Sequence, residues 1–263
     1  MQNTWNTRFL WLASFLLLLP SSPRAVGLSS PQPLPNGMAI PIAFTRTINA
    51  RKVRPGDPVL AKTLQLVLYG PTESIPKGSK VIGHVVEAKA FVDQDEPSTI
   101  EIQFDKIEYK QQIIPFRASV RALANVMDVS DAMRPTDASD MDPSRAVTLV
   151  GGDQEMPGEK QVYSADGDDV GINNRFGIFS RLEPGESINR FGRITCAGIP
   201  TLQSVAIFSS TACGLYGFPD TFLRLTGNES ENGTIELESN RYTIEIHSGS
   251  AALLQVISTS NHQ

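Results

Sequence analysis

The chain has 263 residues, 40% of them hydrophobic and 19% charged, with a formal net charge of −5. That length can bury one good-sized core or two small ones, and the acidic balance argues against nucleic acid or anionic lipid held by bulk charge. With 20 glycines and 18 prolines, and no sustained i, i+3, i+4, i+7 apolar pattern beyond Pro20, the sequence reads as all-β. The expected form is an antiparallel sandwich or partly open barrel with a long acidic, loop-rich insertion.

The N-terminus carries the three parts of a signal peptide: Arg8, then the apolar run Phe9 to Leu19, then a polar, turn-prone stretch to Gly27. The run is too short to span a bilayer, which needs ~20 residues. Ala25 and Gly27 set small residues before a cut at Leu28. Removal of residues 1–27 takes Arg8 and Arg24 and no acid, moving the net charge from −5 to −7. The expected location is therefore periplasmic, envelope-associated or secreted, and no later run is apolar enough to cross a membrane as a helix.

Residues 28–36 (LSSPQPLPN) read as a flexible tether. Alternation then begins and runs over a β-domain at 37–123. Met38, Ile40, Ile42 and Phe44 share one parity, and Pro41 implies an edge strand. Arg54-Pro55-Gly56-Asp57 and Ile75-Pro76-Lys77-Gly78 are turns. Between Lys80 and Val92 a long strand places Ile82, His84, Val86, Ala88, Ala90 and Val92 on one parity. His84 then reads as a core or lumen residue without a partner in register. Ile100, Ile102 and Phe104 alternate, and the phase flips to Ile107 and Tyr109, which is the mark of a β-bulge near Asp105-Lys106. Ile114, Phe116, Ala118, Val120 and Ala122 follow, opposed by Pro115, Arg117, Ser119 and Arg121.

From 124 to 200 acidic residues, glycine and proline dominate, and this segment is expected as an acidic, loop-rich insertion. Patterning returns over 201–258, whose strands are expected to complete the same unit.

Gly37-x-x-Ile40-Pro41, Pro55-Gly56-Asp57-Pro58 and Ile75-Pro76-Lys77-Gly78-Ser79-Lys80-Val81-Ile82-Gly83 together resemble the β-barrel domain of TrbI-type conjugal-transfer proteins. Those proteins belong to the outer-membrane core of type IV secretion channels. The same order of motifs is similar to a set of stand-alone exported bacterial proteins of unassigned activity. In that set a segment like Ala212-Cys213-Gly214-Leu215-Tyr216-Gly217 follows. The resemblance covers 37–123 and implies a barrel-like fold. It does not imply the channel, because this chain begins with a signal-like segment where that family has a membrane-spanning anchor, and the region corresponding to the family's amphipathic pore-lining hairpin is polar and acidic.

Chemistry is sparse. Asp166, Asp168 and Asp169 surround Gly167, and hard cations such as Ca²⁺ take several oxygens from one flexible loop, but no glutamate stands at the closing position of an EF-hand. The alternative is a solvated acidic turn. No other cofactor is implied: His247 and His262 have no Cys or His at zinc-ligand spacing. No Gly-x-Ser-x-Gly or His-Glu-x-x-His occurs, and Gly78-Ser79-Lys80 lacks the spacing of a phosphate loop. Cys196 and Cys213 are the only cysteines. In an oxidising compartment a bridge would staple the strand between them, while two cysteines without a framework leave free thiols open.

The expected function is that of a non-enzymatic exported envelope or secreted β-module for assembly or binding. Its partner would be an envelope protein or cell-wall polymer, with no nucleic acid and no transmembrane helix in the mature chain. The alternative is a secreted hydrolase whose site is built on residues 125–200, because long loops on rigid scaffolds often carry function.

Overall fold

The computed structural model describes residues 33–133, 146–156, 158–189, 192–224 and 233–257. The expected signal peptide 1–27, residues 28–32 of the expected tether, and His262 lie outside them. The last part of that tether is docked: Leu34 is buried in the main core, and the Gly37 amide donates to the Val256 carbonyl at 2.8 Å.

The N-terminal half supplies β1 (Ala39–Phe44), β2 (Ile48–Asn49), β3 (Pro58–Thr63), β4 (Val67–Leu68), β5 (Ser74–Ile75), β6 (Lys80–Lys89), β7 (Ser98–Tyr109), β8 (Gln112–Pro115) and β9 (Arg117–Ala124). Turn chemistry sets their ends. Gly56 at φ 89° and Gly78 at φ 82° take up the left-handed conformation that closes the two proline turns.

The only helix among the described residues, α1 (Val126–Ala132), starts where Asn125 Oδ1 accepts the Met127 and Asp128 amides, both at 2.9 Å. Short strands follow: β10 (Val147–Thr148), β11 (Gln154–Glu155), β12 (Gln161–Tyr163), β13 (Asp169–Asn174), β14 (Gly177–Leu182), β15 (Gly185–Asn189), β16 (Gly192–Cys196) and β17 (Ile199–Ser204). The last group is β18 (Gly214–Tyr216), β19 (Thr221–Arg224), β20 (Thr234–Ser239), β21 (Glu245–Ile246) and β22 (Ala251–Ile257). The described residues hold no helix long and apolar enough to cross a membrane.

The fold is all-β. The main sheet runs β18-β9-β22-β1-β3-β6-β7-β20-β19, and β8 pairs with the second half of β7. Only β18, laid parallel to β9, breaks the antiparallel order of this sheet. Curled until nearly closed, the sheet buries one face on itself. Ile40, Ile42, Val59, Val81, Ile100, Ile102 and Leu254 meet there. Phe104 lies 6.4 Å from both Phe44 and Phe116, ring centre to ring centre. The lumen is thus packed with side chains and is not a pore. Each such large side chain contributes about 1.5–3 kcal/mol by leaving water.

A second layer seals one side of the barrel. The stretch 124–200 carries α1 and, with β17 running on to Ser204, the strands of a six-stranded sheet ordered β10-β11-β12-β13-β14-β17. Val162, Val170, Ile178 and Leu182 from this layer pack with Ala39, Ala122, Ala124 and Ala251 from the outside of the barrel. Alanines there let the two backbones approach closely, which is why β1 is buried along its whole length.

Two sequence expectations are corrected. Pro41 does not mark an edge, for β1 lies between β22 and β3. The β3 ladder spans only Ile42–Phe44 of β1, and the Leu64 amide reaches the Pro41 carbonyl beyond the end of β3. The missing proline N–H therefore falls where the ladder has already stopped. On β6 the core side is Val81, Gly83 and Val85, whereas Ile82, His84 and Val86 are only half-buried on the outside. A register shift between Val85 and Glu87 then returns Ala88 to the core side.

Candidate functional site

With one outer side sealed, the opposite outer face, over β3, β6, β7, β20 and β19, is left uncovered by the described residues. The strand registers arrange it in rows. At one end Lys62, Lys80 and Glu108 are cross-strand neighbours, and Leu60, Ile82 and Lys106 form the next row. Pro58, His84, Gln103 and Thr234 make the middle row. Glu87, Glu101 and Glu236 follow, with Arg224 beside Glu236, and the last row is Lys89, Thr99 and Glu238.

Three glutamates on adjacent strands repel one another, because like charges directly opposite destabilise a sheet. The outer two are partly neutralised. Lys89 Nζ lies 2.5 Å from Glu87 Oε1, and Arg224 Nη1 lies 3.3 Å from Glu236 Oε1 and 3.2 Å from Glu238 Oε2. Glu101, in the middle, has no ion-pair partner among the described residues. Burial raises the Glu236 carboxyl above its ordinary range against the pull of Arg224, and Glu101, Glu238 and Glu87 add to the rise. The row lines a cleft of about 170 Å³. A neighbouring cleft of about 570 Å³ under the β6–β7 loop shares Lys89 and Thr99 with it and adds Val92, Asp95 and Glu96.

The opposite end is basic. Lys77, Lys80 and Lys110 line a cleft of about 360 Å³ with Ser79, Tyr109 and Glu108, and Lys106 Nζ holds Glu108 Oε1 at 2.8 Å. Burial and a hydrogen bond with Tyr69 push the Tyr109 phenol up to about 12.

Between the two ends, the expected bulge is present. Ile82 pairs with Lys106 and Gly83 with Phe104, leaving Asp105 without a partner in the ladder. The bulge turns the Asp105 carboxylate along the outer face, where it meets His84 Nδ1 at 2.8 Å, Arg117 Nη1 at 3.3 Å and Gln103 Nε2 at 3.2 Å. His84 therefore has a partner that strand parity alone does not reveal. A Cβ on Gly83 would overlap the Gln103 carbonyl, so the close approach at this bulge needs glycine.

A second bulge turns a charge inward. Leu253 pairs with Ala122 and Leu254 with Val120, so Arg121 is the unpaired residue of β9. Its side chain, read from the sequence as outward, is 2% exposed beneath the second layer. Nε donates to Ala212 O at 3.0 Å, Nη1 to Ala197 O at 2.5 Å, and Nη2 to Glu183 O at 2.6 Å and Ser210 O at 3.3 Å. Desolvation lowers this guanidinium to about 10, so it stays charged at neutral pH. The same segment is tied by the Cys196–Cys213 disulfide, with Cα atoms 5.9 Å apart. Asp153 completes the tie by accepting the Ser210 amide at 2.6 Å, and burial raises its carboxyl above the ordinary range.

The remaining sequence candidates stay apart. Asp166, Asp168 and Asp169 sit exposed at the β12–β13 turn, where the Asp168 amide bonds to Ser164 Oγ at 3.1 Å. Among the described residues no three His, Cys, Asp or Glu side chains are arranged to hold a metal ion. His247 is exposed, 3.8 Å from Glu245. Asp153 lies beside Ser209 and Ser210, but Ser209 Oγ accepts the Asp153 amide, and the chain's three histidines all lie outside 125–200. No known family, curated protein or solved structure matches this chain.

Proposed function

We propose that this is an exported envelope protein that works by docking, as an assembly or binding module, rather than by catalysis. The observation that carries the reading is the open sheet face: five rows of mostly polar side chains, basic at one end and acidic at the other, on a barrel with a filled core. Such a surface is rigid, because alternate residues on each strand are anchored in the core, and it needs no rearrangement to receive a partner. The disulfide supports export, since such bonds form and persist in oxidising compartments. The TrbI-like order of turn motifs supports an envelope setting and a barrel like that of the type IV secretion core; the fold is carried over and the channel is not.

The test is site-specific photo-crosslinking in intact cells. A photoreactive residue at Ile82 or Gln103 is expected to give adducts of discrete mass with an envelope component. One at Ile172, exposed on the second layer, is expected to give none. Adducts from neither face position, or the same adducts from all three, would overturn the assignment.

A further inference from the structure

The open face is electrically divided along the strands, and its two ends complement each other. Lys62, Lys80, Lys106, Lys77 and Lys110 gather at one end around the single acid Glu108. The chain has eight lysines, so most of them lie in this one corner of an acidic protein. At the other end stand Glu87, Glu101 and Glu236, with Asp95 and Glu96 on the adjoining loop, against Lys89 and Arg224, while Glu238 of the last row is buried. On β6 alone the polarity runs from Lys80 to Glu87, seven residues or ~23 Å along the strand.

The geometry points to a second copy of this chain as the occupant of this face, laid on it with strands reversed. A twofold axis lying in the plane of the face and crossing the strands near His84 and Gln103 sets each lysine end on the partner's glutamate end. A twofold axis along the strands would instead set like on like. Charge therefore selects one arrangement of an isologous dimer, in which both contacts form at once. A free polyanion would be drawn to the lysine end alone and would leave the glutamate row unopposed. The second copy meets both.

Five rows ~6.7 Å apart across five strands ~4.8 Å apart cover about 500 Å² on each copy. That falls at the low end of specific interfaces and, being largely polar, predicts an association that is reversible and sensitive to salt.

The inference rests on the docking reading above, and its test is separable, because it uses the purified protein alone. Sedimentation equilibrium in about 20 mM salt is expected to show the mean mass rising toward twice the monomer near ~100 μM. In about 0.5 M salt, where the Debye length is only a few ångström, the mass should return to the monomer value. Lys62→Glu with Lys80→Glu, and separately Glu87→Lys with Glu101→Lys, should each abolish the dimer, and mixing the two variants should restore it as a heterodimer. Monomer in the unaltered protein at low salt overturns the proposal, as does a dimer indifferent to salt or a mixture that stays monomeric. A photo-adduct of another mass from Ile82 without any dimer would retain the docking module and discard the second copy.

Discussion

Replacing Arg121 by methionine removes a buried charge whose donors reach four main-chain carbonyls on three segments of the second layer. Ser210 O keeps a donor in the Glu183 amide, at 3.1 Å. The carbonyls of Ala212, Ala197 and Glu183 lose the guanidinium. A buried polar group left without its partner costs about 1–3 kcal/mol, giving roughly 3–9 kcal/mol for three of them. Water entering the vacated space and relief from burying a charge offset part of this, and a loss of about 4 kcal/mol is expected. In urea, at ~2 kcal/mol/M, the unfolding midpoint would fall by about 2 M. Lysine keeps the charge but cannot spread donors over so wide a fan, so Arg121→Lys should lose roughly half as much. Because the disulfide ties the same segment, Arg121→Met combined with Cys196→Ala and Cys213→Ala should be less than additive. Unfolding of Arg121→Met within 1 kcal/mol of the parent, with the disulfide intact, would refute the clamp, for methionine packing would then be as good as the hydrogen bonds.

Four further outcomes follow from the same geometry. Glu101→Gln relieves the repulsion across the glutamate row and should stabilise by about 0.2–1 kcal/mol, a gain that shrinks with added salt in thermal melts. Gly83→Ala forces a methyl group into the Gln103 carbonyl at the Asp105 bulge and should cost more than ~2 kcal/mol by urea titration, with wild-type behaviour counting against the bulge. Reduction of Cys196–Cys213, which are 17 residues apart, should cost about 3 kcal/mol, read as the midpoint difference with and without reductant. Asp153, Glu155 and Glu236 all have carboxyls raised by burial. The folded state thus keeps protons that the unfolded state gives up, and stability should fall as pH rises from the ordinary carboxylate range through the folded values. Asp153→Asn retains an oxygen for the Ser210 amide, so it should flatten that slope without loss of fold, as read by melts across pH 4 to 7 (a range set roughly by carboxylate titration).

The all-β class was legible in turn chemistry and alternation, because the strands of 37–123 have one face in the lumen. The bulge at Asp105 was legible too, since the flip from Phe104 to Ile107 breaks a clean apolar phase. The bulge at Arg121 was not. Ala122, Leu123 and Ala124 are all apolar, and all three are buried between two layers, so no phase change shows. On β6 the half-buried Ile82 and Val86 imitate a core parity, which placed His84 on the wrong side and hid its pairing with Asp105. The strands of the second layer are only two to six residues long. They bring from none, in β11, to three apolar residues, in β14, too few for a period to emerge. The glutamate row needed registers among β6, β7 and β20, which depend on contacts distant in sequence.

The placing of β22 sets the order in which this molecule can come into being. It is the last strand in chain order among the described residues, yet it lies between β1 and β9, paired with both. Until it is delivered, β1 and β9 expose unsatisfied edges, and the run from β1 through β3, β6 and β7 stays unjoined to β9 across the gap. Closure therefore waits for a contact spanning more than two hundred residues, from Ala39 to Gln255. Folding should be slow and concerted, completed only once β22 is available to pair. A premature stop before Ala251 would then remove an interior strand of the barrel rather than trim an end, so early-terminated chains should be cleared as unfolded protein.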